Sequence, residues 1–225
     1  MKLMLSALCV LFALAFASSS QAAVVQTYGD VTVANSPNGP VWDLKSDVAG
    51  IGYAGLYLTN PGLAPNDLTS LSALYQMLQG NFGGGSPRFT LFDSLNGAAY
   101  IYWGPPPYNS DPNGGVWGST GNLVGALVDT NGFGGTGYQY QITWASFLAQ
   151  AGAVNIQYLV LVDLDGGWVA TQELIVNNID VNGTLYNPTL QVADVPEPSA
   201  LLLLAVGLLA STFFMRGPGR LLRMR

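Results

Sequence analysis

Residues 155–176, NIQYLVLVDLDGGWVATQELIV, carry the clearest local signal in the chain. Asn155 to Leu164 reads as a strongly apolar strand, Asp165-Gly166 as a tight turn, and Gly167 to Val176 as the returning strand of a hairpin. Outward from this stretch, Gly and Pro clusters punctuate the sequence, with aromatic and β-branched runs between them. That spacing favours antiparallel sheets over a strand–helix alternation. Val24 to Val33 and Ile51 to Leu58 are the first candidate strands, separated by the turn-forming run Asn35 to Pro40. Asn66 or Asp67 is placed to cap a helix with Leu68, Leu71, Leu74, Tyr75 and Leu78 on one face and Gly80 as its end. Arg88 to Phe92 alternates as a strand and pairs with Ala98 to Trp103, while Gly104 to Gly121 reads as a long irregular loop. Leu123 to Val128 and Tyr138 to Ile142 flank a glycine-rich turn. A short helix follows from Thr143, with Trp144, Phe147 and Leu148 inward and Gly152 as its stop. Ile179 to Gly183 ends a last strand. The expected fold is all-β: a jelly-roll-like two-sheet antiparallel sandwich with one or two short helices.

Both ends of the chain differ in character from this body. Lys2, the apolar run Leu3 to Ala17 and the small residues Ser18 to Ala23 have the order of a secretory signal peptide. Cleavage is expected after Ala22 or Ala23. Cys9 follows Leu8, where a lipoprotein would need a small residue, and it leaves with the signal. At the other end, Val195-Pro196-Glu197-Pro198 precedes an uncharged apolar segment, Ser199 to Met215, and then Arg216, Arg220, Arg223 and Arg225. At about 1.5 Å per helical residue that segment reaches roughly 25 Å, the short end of a bilayer span. The arginines would hold its end in the cytoplasm, leaving the body on the outer face.

The order Pro-Glu-Pro, apolar helix, arginine cluster resembles the PEP-CTERM sorting signal of Gram-negative bacteria. The resemblance covers about Val195 to Arg225. It implies recognition by a membrane protease of the exosortase type, cleavage near the motif, and delivery to the cell surface or an exopolysaccharide matrix. The expected organisation is a signal peptide at 1–22, an exported domain at 23–194 and a sorting tag at 195–225.

Composition narrows the chemistry of the body. Lys45 and Arg88 are its only cations, set against twelve acidic residues once Glu197 is assigned to the tag. A field of that sign repels phosphates, so nucleic acid is excluded as a partner. Neutral glycans and divalent cations are compatible. The chain has no histidine, and Cys9 is its one cysteine. A Ser-His-Asp triad, a Cys-His pair and a His-based zinc site are therefore impossible. Only paired carboxylates or calcium-assisted chemistry remain open to an enzyme.

Candidate site residues fall in three groups. Asp163 and Asp165, in Asp163-Leu164-Asp165-Gly166-Gly167, begin like a calcium loop, but Gly167, Trp168 and Leu174 stand where an EF-hand needs a ligand, a glycine and an acid. A hairpin turn with two solvated carboxylates is the plainer account, and an edge calcium site using Asp163 or Asp165 is the alternative. Asp43 and Asp47, beside Trp42, have the spacing of a carboxylate pair on one helical face, although surface charge is the commoner role. Glu173 and Asp180 fall on polar-out strand positions. Among the aromatics, Tyr100 and Tyr102 alternate within a strand and are expected to pack. Tyr108 and Trp117, on the proline loop, and Trp168, after the hairpin turn, are the candidates to stack on a sugar ring. Asn182-Gly183-Thr184 has the form of a glycosylation acceptor and is expected to be a turn.

The reading that results is a non-enzymatic exported surface or matrix protein, sorted by its tag and associated with exopolysaccharide, with calcium as the candidate cofactor. Its alternatives are a glycan-active enzyme using Asp or Glu and a self-associating coat protein. Expected processing partners are signal peptidase and the exosortase-type protease.

Overall fold

The computed structural model of the chain describes residues 24–47, 49–50, 52–83, 85–106, 108, 110–165 and 171–189. The signal segment with its cleavage sites, Gly166, Gly167, Trp168 and the sorting tag from 195 onward lie outside the described residues. The fold set out below belongs to a compact unit ending at Pro188; of the second unit, Thr189–Arg225, only Thr189 is described.

The described residues form an antiparallel β protein with one short α-helix. Its strands are β1 (Gln26–Ser36), β2 (Gly39–Ser46), β3 (Tyr53–Thr59), β4 (Leu71–Gln79), β5 (Arg88–Phe92) and β6 (Ala98–Tyr102). They continue with β7 (Gly118–Ser119), β8 (Val128–Asn131), β9 (Tyr138–Ile142), β10 (Tyr158–Asp165), β11 (Gln172–Val181) and β12 (Thr184–Tyr186). The helix α1 (Trp144–Ala151) starts where the sequence places it. The Thr143 side chain accepts from the Ser146 N–H, Trp144 and Phe147 are buried, and Gly152 caps the end. Among the described residues no helix is long and apolar enough to cross a membrane.

Hydrogen bonding runs in the order β7-β4-β11-β2-β1-β3-β10-β5-β6-β8-β9, with β12 beside β11. The path is continuous because β1 serves two neighbours. Gln26 to Gly29 pair with β3, and Asp30 to Ser36 pair with β2. The change of partner falls at Gly29, whose φ of +70° suits glycine and whose Cβ, if present, would sit on the Tyr53 carbonyl. Inward residues from both strand groups fill one core. Trp103, just past β6, lies 5.2 Å from Tyr75 of β4 and 5.5 Å from Phe89 of β5, ring centre to ring centre.

Two expectations are corrected. Residues 155–176 do not form a hairpin: β10 pairs with β3 and β5, whereas β11 pairs with β2 and β4. Each strand already has a neighbour on both sides, so neither has an edge left to offer the other. The segment expected as a helix after Asp67 is strand β4. Leu71, Ala73, Tyr75 and Met77 are buried at period two, while Leu74 and Leu78 are exposed. Only a short 3-10 turn, Pro65–Asp67, precedes it. Strand β2 was not foreseen. The β5–β6 hairpin has the expected partners, with Arg88 opposite Tyr102 and Phe92 opposite Ala98. Asn182-Gly183 is a turn, both residues at positive φ, linking β11 to β12.

Candidate functional site

Side chains directly opposite across paired strands lie on the same face of a sheet. In β1, β3, β10, β5 and β6 the pairings Tyr28–Gly55, Gly55–Asp163, Asp163–Arg88 and Arg88–Tyr102 define one outward row. Two residues along, a second row runs Gln26, Tyr57, Val160, Thr90, Tyr100 and Asp129. Two further, Tyr158 stands between Thr59 and Phe92. The inward alternates, among them Leu56, Leu58, Phe89, Leu91, Ile101 and Leu159, belong to the core. Tyrosine is the most frequent residue on this sheet face.

A β-bulge in β10 keeps the face in phase. The register shifts between Val160 and Val162. Tyr158 and Val160 point outward before the shift, and Asp163 does so after it, while Val162 and Leu164 turn into the core. Without the extra residue Asp163 would face the core and Leu164 the solvent.

At the centre of the face lies a charged knot. Arg88 Nε and Nη2 lie 2.8 and 2.7 Å from Asp163 Oδ2, and both side chains are only 14% exposed. Thr90 Oγ1 donates to the same oxygen at 3.2 Å, and Tyr28 Oη donates to Asp163 Oδ1 at 2.9 Å. The guanidinium sits 4.9 Å from the Tyr100 ring centre. Burial, and then the facing Asp163 carboxylate, push the Tyr28 phenol far above its ordinary value and keep it a neutral donor. Burial and the hydrogen bond to Asp129 do the same to Tyr102.

Around this knot the rings are spaced evenly. Tyr28 is 6.0 Å from Tyr53 and 6.1 Å from Tyr57, and Tyr57 is 6.2 Å from Tyr158. Tyr53 is 55% exposed and Tyr158 36%. Tyr28, Tyr57 and Tyr158, with Phe92, Asn96, Val160 and Asp163, line an open pocket of about 540 Å³. The chemistry on offer is a run of ring faces with amide and phenol groups at their edges, suited to an uncharged ligand with both apolar faces and hydroxyls.

The residues singled out from the sequence are distributed differently. Tyr108 is 6% exposed, its ring 4.2 Å from that of Tyr102. Trp117 is half-buried and lines neither this pocket nor the one beside Tyr108. Trp168 lies outside the described residues. The Asp163 carboxylate, a candidate calcium ligand, is paired with Arg88. Asp165 is half-buried, its backbone N–H bonded to Ser86 Oγ. Among the described residues no group of three or more acids is placed to hold a metal ion. Tyr53, Tyr57 and Tyr158 were missed, although Tyr53-x-x-x-Tyr57 in a strand already puts two rings on one face.

Asp43 and Asp47 form no pair. Asp43 projects from a strand, and Asp47 accepts from the Ala49 N–H and Thr171 Oγ1 beyond its end. Burial raises the Asp43 carboxyl above its ordinary 3.8, with Glu173 and Asp30 adding to the effect. A carboxyl that binds its proton more tightly when folded stabilises the fold at low pH; that contribution is lost as pH rises from 3.8 through the raised value. Asp43→Asn is therefore expected to raise the urea midpoint at pH 7 and to leave it unchanged well below 3.8. An equal effect at both pH values would contradict the assignment.

Comparison with solved structures gives two distant likenesses. The crystal structure of an agarase matches at 14% identity, covering 91% of this chain and 31% of that one, with a TM-score of 0.40. An exo-β-agarase matches at 10% identity, covering 76% and 25%, with a TM-score of 0.36. The chain thus spans under a third of each, and likenesses this weak carry no functional argument. No curated protein matches the sequence. Residues 194–220 match the family model of the PEP-CTERM protein-sorting motif, and the chain is a protein bearing that motif.

Proposed function

We propose that the chain is an export-sorted surface protein processed by an exosortase, a membrane protein, a reading that its sorting motif supports. We propose that the exported body, two strand groups joined through β1 in a sandwich of jelly-roll type, is non-enzymatic and holds exopolysaccharide on its tyrosine face. The observation that carries this reading is the even run of rings from Tyr53 through Tyr28 and Tyr57 to Tyr158 over an open pocket. The carboxylates near the face favour binding over catalysis because internal donors engage them. Asp163 holds Arg88, Asp129 accepts from Tyr102 Oη and the Gln141 N–H, and Asp93 accepts from the N–H groups of Leu95, Gly97 and Gly134.

The test is co-sedimentation of the mature protein with matrix polysaccharide from its host. Burying an aromatic side chain is worth about 1.5–3 kcal/mol. The double variant Tyr57→Ala/Tyr158→Ala is therefore expected to bind at least tenfold more weakly with an unchanged far-UV spectrum. Equal binding by parent and variant, or sugar release by the parent, would sink the reading. Because Arg88 neutralises Asp163, the body is proposed to fold without calcium. Its melting temperature is expected to be the same in EDTA and in millimolar calcium, and a rise with calcium would reverse that proposal.

Self-association is the second reading. It is favoured by exposed Tyr138 and Tyr140 on β9, which ends the hydrogen-bonded path. Concentration-dependent light scattering of the mature protein, lost in Tyr138→Lys/Tyr140→Lys, would support it; a monomer at all concentrations would not.

A further inference from the structure

The four rings of the tyrosine face follow one strand. Tyr53 and Tyr57 are outward residues four apart on β3. Between them is Gly55, and the Tyr28 ring of β1 occupies the space that a side chain there would take. The next outward position of β3, Thr59, stands opposite Tyr158 of β10. The rings therefore fall at the levels of residues 53, 55, 57 and 59. Their centres are 6.0, 6.1 and 6.2 Å apart in succession, close to the roughly 6.5 Å that a strand advances in two residues. The run keeps step with β3 from one end to the other.

The tilt of the rings and the charge around them limit what can lie on this run. Successive ring planes are inclined to one another by 37°, 52° and 67°. A flat crystalline surface meets only coplanar rings, so the fitting ligand is a single chain whose units also turn. Arg88 is paired with Asp163, and Lys45 stands on β2 between Asp30 of β1 and Glu173 of β11. These are the two cations of the body. An acidic sugar therefore finds no free cation on the face and meets the negative field of the body. A basic sugar gains little either, because Asp163, the acid lining the pocket, is already paired.

We infer that the face binds one uncharged, linear glycan chain lengthwise along β3, with a sugar unit on each of the four rings. The inference rests on the reading of this face as a glycan-binding surface, and adds the charge, form and direction of the ligand. A pyranose ring and a phenol ring are similar in width, and the apolar face of the one stacks on the face of the other. Tyr28 Oη donates to Asp163 at 2.9 Å and Tyr57 Oη to Gln26 at 2.7 Å. The middle of the run is thus set before the ligand arrives. Tyr53 and Tyr158, the more exposed rings, make its two ends.

The experiment uses fragments of the host's matrix polysaccharide, made by partial acid hydrolysis and sorted by charge on ion-exchange resin and by length on a sizing column. Each fraction is titrated calorimetrically into the mature protein. Uncharged fragments are expected to bind more tightly than charged ones of equal length. Their affinity is expected to rise about threefold or more per unit up to four units, and to level off beyond. Tyr53→Ala removes an exposed ring at one end of the run. It is expected to bind a three-unit fragment within a few-fold of the parent and to gain nothing from a fourth unit. Four results would overturn the inference while leaving the face a glycan-binding surface. They are tighter binding of charged fragments, an affinity that does not grow beyond two units, an undiminished gain from the fourth unit in Tyr53→Ala, and adsorption to the insoluble polymer with no soluble fragment bound. Equal binding of the intact polysaccharide by the parent and Tyr57→Ala/Tyr158→Ala would remove that surface, and the inference with it.

Discussion

Arg88→Met is expected to destabilise the protein by about 3–5 kcal/mol, the usual cost of removing one partner from a buried ion pair. Asp163 would keep the Tyr28 and Thr90 hydroxyls but lose the cation that neutralises it, in a site where both side chains are 14% exposed. Arg88 also donates to the Gly85 carbonyl at 3.1 Å and stacks on Tyr100, so its loss uncouples the start of β5 from the face above it. The measurement is the urea midpoint at constant m-value. The double variant Arg88→Met/Asp163→Leu is expected to recover most of the loss, because replacing the whole pair removes the desolvation cost together with the attraction. A single variant within about 0.5 kcal/mol of the parent would place the pair among ordinary solvated surface ion pairs.

Gly55→Ala is expected to damage both stability and polysaccharide binding. Gly55 lies between Tyr28 and Asp163 in the outward row, and the Tyr28 ring crosses directly over it; a Cβ at residue 55 would occupy the place of that ring. Tyr28 must then leave, and its hydrogen bond to Asp163 breaks. Overpacking costs typically 1–3 kcal/mol and a hydrogen bond to a charged group about 1.5–3 kcal/mol, so a loss of about 2.5–6 kcal/mol is expected. Polysaccharide binding should fall at least tenfold, because the ring that links Tyr53 to Tyr57 is displaced. Tyr28→Phe separates the two effects: it removes the hydroxyl, keeps the ring, and should lose stability while binding within a few-fold of the parent. If Gly55→Ala binds as the parent does, Tyr28 is not part of the binding surface.

Local pattern was enough for some elements and not for others. The Thr143 cap, the inward Trp144 and Phe147 and the Gly152 stop define α1 within one short stretch, since a helix satisfies its own backbone. The β5–β6 hairpin was legible for a similar reason, its partners being close in sequence. The segment after Asp67 fits two periods. Leu71, Leu74, Tyr75 and Leu78 match a helical stripe, while Leu71, Ala73, Tyr75 and Met77 match a strand. The neighbouring β11 and β7 decided for the strand by supplying hydrogen-bond partners that a lone segment cannot anticipate. The tyrosine face was partly visible in Tyr53-x-x-x-Tyr57 and Tyr100-x-Tyr102. In β10, Tyr158 and Asp163 have opposite parity, and they share a face only because of the bulge between them.

The sequence by itself determined the β class, the exclusion of histidine and cysteine chemistry from the body, the acidic field that disfavours nucleic acid, and the sorting motif. These depend on composition or on contiguous order, and folding does not alter either. Only the tertiary structure decided that β10 and β11 part to different neighbours, that Asp163 holds Arg88, and that four tyrosines from three strands stand in one run. Strand partnership is settled by which distant edges are free and which faces must be buried, and that information is spread over the whole chain.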